Sequence, residues 1–451
     1  MSEINTTGDP PAARLRRILG LGFGLAVLVG STIGIGILRT PGLVAGHLHH
    51  ATIILVLWVG GGLFTLLGSF CLTELGTMTP QAGGFYVHAR RAFGDRVGFA
   101  VGWTDWLAYC AVLGYVSIGM SEFLGALVPA LAGSVRPMAT VFLVGFVALQ
   151  WTGVRVSSRF QSWATALKCL AFLTVLGAGL ILSTGSGPGH AAPALPGPAL
   201  TLVGVVAALQ AIVITYGGWQ SPLYFTEEDR DPARNLPRAM IGGLLAVIGF
   251  YVLFNVALLV ILPMPDLARS TLPAADAAQV LVGERGRQII TVLSLVSLPP
   301  LLNAIMMTGT RILFALGRDR LFWSRAADVN AGGTPGVAML ITTAVAIALI
   351  ATGTFVRLVA MTSFFLAVNY CVSCLALVAL RRREPDAARP FRAWGYPWSA
   401  AIVIAGALAF VIGALVGDTR NALTAVGLLA IGLVGRALFR SSARAPGCPP
   451  G

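Results

Sequence analysis

The sequence predicts an all-α integral membrane protein with twelve transmembrane helices. Hydrophobic residues make up 56% of the 451 residues and charged residues only 11%, about half the charged fraction of a soluble globular domain. Apolar segments near the ~20 residues that a bilayer requires recur along the whole chain. Two of these segments are interrupted at mid-depth by glycines and polar residues. These observations exclude a large soluble domain and indicate one polytopic membrane domain.

The twelve apolar segments follow one another through short connections. They cover about residues 19–44, 52–78, 97–128, 138–154, 160–183, 200–226, 239–262, 287–314, 336–353, 355–380, 397–416 and 420–439.

The first segment is interrupted by the sequence from Gly30 to Gly36, Gly-Ser-Thr-Ile-Gly-Ile-Gly. Hydrocarbon offers no hydrogen-bond partners, so a spanning helix must satisfy its own backbone. Each interior glycine costs about 1 kcal/mol relative to alanine. A helix broken here would leave amide and carbonyl groups free to hold a polar ligand. The spacing of Gly30 and Gly34 also suits close helix packing, so this break alone leaves packing and binding open.

The sixth segment is interrupted in the same way between Thr215 and Pro222, where Gly217 and Gly218 stand next to polar side chains. Corresponding breaks at the start of two sets of five spans indicate an inverted-repeat transporter. We therefore expect a first five-helix repeat at 19–183 and a second, inverted repeat at 200–380. Helices 11 and 12 are expected at 397–439, with terminal tails at 1–18 and 440–451.

The formal net charge of +13 orients the protein rather than binding a partner. If the N-terminus is cytoplasmic, the inner loops and tails hold 21 basic residues and the outer loops six. This bias follows the positive-inside rule and predicts that both termini are cytoplasmic. We therefore expect contact with the lipid bilayer and no binding of nucleic acid.

Several ionisable residues fall inside or at the ends of predicted spans, and four of them are candidates for a specific role. Lys168, the single lysine, lies eight residues into the fifth span, where a lysine costs about 3 kcal/mol unless it faces protein or water; snorkelling to the surface is the alternative. It would either exchange a proton or remain charged where other transporters hold a metal ion. Asp105 is a candidate partner of Lys168, a proton carrier or a structural hydrogen-bonding residue. Arg39 is a candidate contact of the outer vestibule, and Arg311 is expected to anchor its helix at the membrane interface.

The sequence contains no cluster of metal ligands, Ser/His/Asp arrangement or Walker-type loop, so no cofactor is expected and a membrane enzyme is disfavoured. Selectivity-filter features of a channel are also missing. The six cysteines fall in spans or in the C-terminal tail, at Cys448, and none falls in a predicted outer loop. An extracellular disulfide is therefore not expected.

The segment from Gly30 to Gly42 resembles the first-helix signature of the amino acid–polyamine–organocation superfamily. Further blocks that resemble the same family are Glu74–Pro80, Gly83–Tyr86, Gly98–Trp103, Tyr216–Trp219, Glu227 with Glu228, Pro232–Arg238, Asn303 with Arg311, Arg381–Pro385, Arg389–Arg392 and Gly395–Pro397. The resemblance runs from about residue 18 to 415. It is closest to the L-type amino acid transporter branch, including its bacterial members.

The resemblance implies the leucine-transporter-like fold, with two inverted five-helix repeats, broken helices 1 and 6, and alternating access. It implies a secondary active transporter of L-amino acids, neutral ones in our interpretation, in the plasma membrane. Transport would proceed by exchange or by proton-coupled symport. The alternative within the superfamily is a permease for polyamines or other organic amines, in which Asp105 would recognise the substrate.

The resemblance also assigns the site. The substrate carboxylate would bind the amides around Ile33, Gly34, Ile35 and Gly36. The substrate ammonium would meet carbonyls of Thr32 or Ile33 and of Ile214 or Gly217. The candidate substrate-binding residues are Ser31, Thr32, Ile33, Gly34, Ile35, Gly36, Ile214, Gly217, Gly218 and Trp219. Lys168 corresponds to the lysine of the fifth helix that reaches the first break, where sodium-coupled relatives bind an ion.

Three departures from the family pattern affect these expectations. Ile35 replaces the usual serine of Gly-Ser-Gly, and Ile214 stands where an aromatic gate is common. The outer loop at 129–137 has no cysteine, which speaks against a disulfide-linked accessory subunit.

Glu227 and Glu228 are candidate gate residues that would pair with loop arginines at the cytoplasmic end.

Overall fold

The computed structural model describes residues 15–185, 200–353, 355–417 and 419–442. The expected terminal tails lie almost entirely outside these ranges, as does Cys448. Over the described residues the secondary structure is helical, with two isolated β-bridges and no strand.

Seventeen α-helices are found in the described ranges. They are α1 Leu21–Thr32, α2 Ile35–Leu48, α3 Ala51–Met78, α4 Phe85–Phe93, α5 Asp95–Leu127, α6 Val135–Trp151, α7 Val154–Gly185, α8 Leu202–Thr215, α9 Pro232–Pro237, α10 Gly243–Ile261, α11 Met264–Arg269, α12 Pro273–Val282, α13 Glu284–Arg318, α14 Gly336–Thr352, α15 Phe355–Arg383, α16 Trp398–Gly417 and α17 Thr419–Ser442.

Seven of the described helices are long and apolar enough to cross a bilayer. They are α3, α5, α7, the continuous stretch Pro232–Ile261, α13, α15 and α16. The pair α1 and α2 passes the same test as one span bent by 43°. Large apolar side chains such as Trp163 (78% exposed) and Val416 (80% exposed) point away from the protein. Such a surface suits contact with lipid, and the protein is an integral, multi-pass membrane protein.

The helices α5 and α13 form the centre of the bundle, because 72% of an apolar 18-residue stretch in each helix is buried. The helices α7 and α16 lie at the periphery, because only 22% of the corresponding stretch in each is buried. The broken span α1–α2 packs against both α7 and α13. Its break is therefore enclosed by protein on several sides.

The break between α1 and α2 falls at Ile33 and Gly34, which both have extended backbones (φ −75°, ψ 109° and φ −154°, ψ −148°). The hydroxyl of Thr32 donates to the Leu28 carbonyl at 2.7 Å, and that of Ser31 lies 2.5 Å from the Val27 carbonyl oxygen. Such local bonds compete with continuation of the helix. The predicted break in the first span is therefore present.

The sixth predicted span, whose apolar run extends to residue 226, is also interrupted. The helix α8 ends at Thr215, turns follow, and a 3-10 helix covers Ser221–Phe225. Gly218 has a φ of +107°, a conformation that favours glycine. A Cβ atom at Gly218 would lie 2.4 Å from the Ser31 carbonyl oxygen. The two breaks therefore touch, and glycine is required at their contact.

Candidate functional site

A cavity of about 650 Å³ lies between the two breaks, within the size range of small-molecule sites. Ser31, Thr32, Gly34, Ile35 and Gly36 line it from the first break, and Ile214, Gly217 and Gly218 line it from the second. Most of the other lining residues are apolar. Polar side chains also reach the cavity from Arg39, Thr40, Tyr109, Gln210, Gln220, Thr362, Ser363 and Tyr370.

The N-terminus of α2 presents backbone amides at the cavity wall. The first amides of a helix have no acceptor within it, and the helix dipole places partial positive charge there. The Ile35 side chain is 5% exposed and fills the space beside Gly119, where a Cβ atom would lie 2.4 Å from Ile35 Cδ1. This end of α2 can accept an anionic group through its backbone.

The C-terminal ends of α1 and α8 are held together by one tyrosine. The Tyr251 hydroxyl of α10 lies 2.8 Å from the Thr32 carbonyl and 3.1 Å from the Thr215 carbonyl. The Ser31 hydroxyl lies 2.9 Å from the Gly218 carbonyl. Carbonyls at these ends carry partial negative charge, so a cationic group of a ligand is favoured nearby.

Lys168 contacts the first break from behind. Its side chain is fully buried, and Nζ donates to the Gly30 carbonyl at 3.0 Å. One and two turns earlier on the same face of α7, Thr165 and Gln161 both donate to the Ala26 carbonyl, at 3.1 and 3.2 Å. Lys168 does not snorkel to the surface, and it is not among the residues that line the cavity.

Asp105 is buried on α5 without contacting Lys168. Its Oδ2 atom accepts a hydrogen bond from the Tyr224 hydroxyl at 2.8 Å. It does not line the cavity, whereas Tyr109, one turn further along α5, does. Of the alternatives considered for Asp105, the ion pair with Lys168 is absent from the described residues, and a hydrogen bond is present.

Arg39 lines the cavity on the α2 side of the break. Its guanidinium lies 3.2 Å from the Glu122 carboxylate and over the Phe123 ring. Two predicted binding residues do not reach the cavity wall. Ile33 is buried, and Trp219 stacks on Tyr370 with ring centroids 5.6 Å apart.

Glu227 and Glu228 pair with arginines of α13. Glu228 and Arg311 are both essentially buried, with a distance of 2.7 Å. Glu227 lies 2.8 Å from Arg318 and also accepts from the Ala82 amide. The prediction that Arg311 anchors its helix at the membrane interface is wrong, because the buried Glu228 carboxylate binds it and the Phe225 ring lies 4.9 Å away.

Sequence reasoning missed Tyr251, Tyr109, Gln220 and Tyr370. Tyr251 is a tyrosine in an otherwise apolar span, where an aromatic side chain more often belongs to the core. Gln220 lies within the second interruption, so the sequence did contain a signal that it belongs to the site. Among the described residues, no group of histidine, cysteine and acidic side chains is arranged to hold a metal ion.

Comparison with known proteins identifies relatives over most of the chain. The serine/threonine exchanger SteT of Bacillus subtilis (strain 168) is 28% identical over 415 residues, which cover 90% of this chain and 93% of that protein. The Asc-type amino acid transporter 1 of Homo sapiens is 29% identical over 400 residues, 85% of this chain and 75% of that protein. The b(0,+)-type amino acid transporter 1 of Homo sapiens is 26% identical over 396 residues, 85% and 80% of the two chains.

The family profile described as amino acid permease matches residues 23–434. The match covers both breaks and every candidate site residue, and it confirms the resemblance drawn from the sequence blocks. The protein therefore belongs to the amino acid permease family of the amino acid–polyamine–organocation superfamily.

Proposed function

We propose that the protein transports neutral L-amino acids across the plasma membrane by alternating access. The observation that carries this proposal is a cavity bounded both by the N-terminus of α2 and by the C-terminal ends of α1 and α8. An amino acid carries one anionic and one cationic group a few ångströms apart. Helix ends of opposite polarity at one cavity complement both groups.

In this proposal the substrate carboxylate binds the amides of Gly34, Ile35 and Gly36. The substrate ammonium binds carbonyls at the ends of α1 and α8, where Tyr251 already shares those of Thr32 and Thr215. Because Ile35 offers no hydroxyl, carboxylate recognition rests on the backbone.

The substrate side chain would extend into the apolar part of the cavity. Val112, Ile305, Val359 and Leu366 line this part, and no acidic side chain is among the described lining residues. This lining favours neutral side chains. It gives less support to a polyamine permease, since a polyamine needs an acidic partner for each distal amine.

The described helices accommodate the proposed twelve-span topology. Four shorter apolar helices are present besides the seven long spans and the bent pair, which together make twelve. They are Val135–Trp151, Leu202–Thr215, Gly336–Thr352 and Leu423–Val434. We propose two inverted repeats of five spans with cytoplasmic termini, as the charge bias indicates, and no disulfide-linked accessory subunit.

With this orientation the Glu228–Arg311 and Glu227–Arg318 pairs lie on the cytoplasmic side. They would keep that side closed, while the cavity reaches Arg39 and Thr40 on the opposite half. Lys168 would hold the end of α1 as a fixed cation where related transporters bind a coupling ion. The substrate would shift the equilibrium only through different affinities for the two states. Exchange and proton symport both fit this cycle.

Counterflow in proteoliposomes tests the proposal. Vesicles containing the purified protein are loaded with one unlabelled amino acid or polyamine at a time, and exchange of the labelled compound is measured for the twenty amino acids and for putrescine and spermidine. We expect exchange of neutral L-amino acids and none of the polyamines. Exchange of polyamines alone would contradict the proposal and favour the alternative.

A further inference from the structure

We propose that Asp105 is the proton-binding site that couples substrate movement to a proton gradient. The inference rests on the proposed amino acid transport and adds the coupling ion and the residue that carries it. Two features of the described residues support it. The carboxylate is buried without an ion pair, and a chain of polar side chains joins it to the cavity.

The Asp105 carboxylate lies inside the bundle with a single hydrogen-bond partner. The residue is fully buried, the Tyr224 hydroxyl donates to Oδ2, and Oδ1 contacts no donor among the described residues. An ionised carboxylate buried without a cation costs far more free energy than its neutral form. The carboxyl group therefore holds a proton in this conformation and ionises when water reaches it.

A line of side chains connects Asp105 with the cavity. The Tyr224 and Tyr109 rings meet edge to face, with their centroids 5.4 Å apart. Gln220 donates to the Tyr109 hydroxyl at 3.3 Å and accepts from Tyr370 at 3.1 Å. Tyr109, Gln220 and Tyr370 line the cavity, so the line begins at the substrate site.

Among the residues that the structure describes, the groups around Asp105 do not provide a counter-ion. The titratable groups that face it are the hydroxyls of Tyr109 on its own helix, Tyr224 on the 3-10 helix and Tyr370 on α15. The cations of the surrounding elements bind other groups. On α13, Arg311 binds Glu228 and Arg318 binds Glu227. Arg90 of α4 binds Asp95 and Asp319, and Arg436 of α17 binds the Asp95 carbonyl.

A proton reaches Asp105 from the cavity by successive transfers, after which Tyr224 again carries its hydroxyl proton. The Tyr224 proton moves to Oδ2 of an ionised Asp105. The Tyr224 oxygen then takes a proton from a hydronium ion that enters from the cavity past Tyr109, and a water molecule remains. One proton has then moved from the cavity to Asp105. When the Glu228–Arg311 and Glu227–Arg318 pairs open, water from that side reaches the carboxyl group and accepts the proton.

The test compares gradient-driven uptake with exchange. Proteoliposomes carry the purified protein and an internal pH-sensitive dye, and the probe is a mixture of labelled L-serine and L-leucine. In the unmodified protein, an inward gradient of one pH unit should raise accumulation by up to about tenfold at one proton per substrate and acidify the lumen. In Asp105→Asn both effects should vanish, while counterflow without a gradient continues. Tyr224→Phe should slow gradient-driven uptake and leave counterflow intact.

The control is Asp266→Asn, which removes an exposed carboxylate on α11 and should leave both activities unchanged. Gradient-driven accumulation by Asp105→Asn at the unmodified level would overturn the inference. Exchange by the unmodified protein without any response to the gradient would also overturn it, while leaving amino acid transport standing. Loss of counterflow in both variants would make Asp105 a structural residue. Absence of any exchange in the unmodified protein would refute the proposed function itself.

Discussion

Tyr251 holds the carbonyl ends of two broken helices with one hydroxyl group. Thr32 is 219 residues away from it in the sequence, and Thr215 is 36 residues away. Both carbonyls belong to the last turns of their helices and have no intrahelical donor. A single side chain thus fixes the relative position of the two ends that face the cavity.

Replacing Tyr251 by phenylalanine should lower both stability and substrate affinity. The buried carbonyls of Thr32 and Thr215 would lose their donor, which costs about 1–3 kcal/mol. Tyr216→Phe is the matched control, because it also removes a hydroxyl that donates to a carbonyl, that of Trp58 at 3.0 Å. Thermal unfolding and substrate binding measure the two effects. If Tyr216→Phe weakens binding as much as Tyr251→Phe, the tyrosine does not act through the helix ends.

Lys168 supports the last turn of α1 in a similar way. Replacement by methionine keeps the length of the side chain and removes the donor to the Gly30 carbonyl. We expect about a tenfold loss of substrate affinity, equivalent to about 1.4 kcal/mol, with proton coupling retained. Thr165→Val is the control, because Gln161 also donates to the Ala26 carbonyl. Loss of the pH response together with intact affinity in Lys168→Met would instead make Lys168 the proton carrier.

At the scale of the elements, the site depends on the contact between the two breaks. The Gly218 backbone approaches the Ser31 carbonyl so closely that no Cβ atom fits between them. Thr215 and Thr40 join α8 to α2 through their hydroxyls at 2.7 Å. The broken segments therefore form one unit at the wall of the cavity.

Gly218→Ala should separate these segments. A non-glycine residue at positive φ costs roughly 1–3 kcal/mol, and the added methyl group would also displace Ser31. We expect lower thermal stability and a severe loss of counterflow. Gly249→Ala in α10 has open space around its Cβ position and should leave both unchanged. Counterflow by Gly218→Ala at the level of the unmodified protein would show that the contact is not needed.

The breaks could be predicted because glycines and hydroxyl residues conflict with an apolar helical segment at a known depth. Their contact with Tyr251 could not, since a tyrosine within an apolar span has the same sequence signal as a core aromatic. The partner of Arg311 was missed for a similar reason. Its position at the end of a predicted span indicated the membrane interface, and only the packing of α13 on the 3-10 helix brings Glu228 to it.

At the scale of the whole molecule, we propose that the ion pairs of α13 close the end of the bundle opposite Arg39. The Glu228–Arg311 pair is buried, and breaking such a pair by removing one partner costs about 3–5 kcal/mol. The pair can open without that loss only if water enters and solvates both groups. Opening of this end is therefore linked to hydration of the region around Tyr224 and Asp105, which the proton-coupling proposal requires.

In the proposed function, the two broken helices bind the two charged groups of one amino acid. Competition of unlabelled analogues with labelled L-leucine for uptake tests this binding mode. In L-leucine methyl ester the carboxylate is replaced by an uncharged ester, and isopentylamine has no carboxyl group at all. Isocaproate lacks the ammonium group. We expect L-leucine to inhibit uptake and each analogue to bind at least about tenfold more weakly, a difference of about 1.4 kcal/mol. Inhibition by isopentylamine as strong as that by L-leucine would contradict this binding mode.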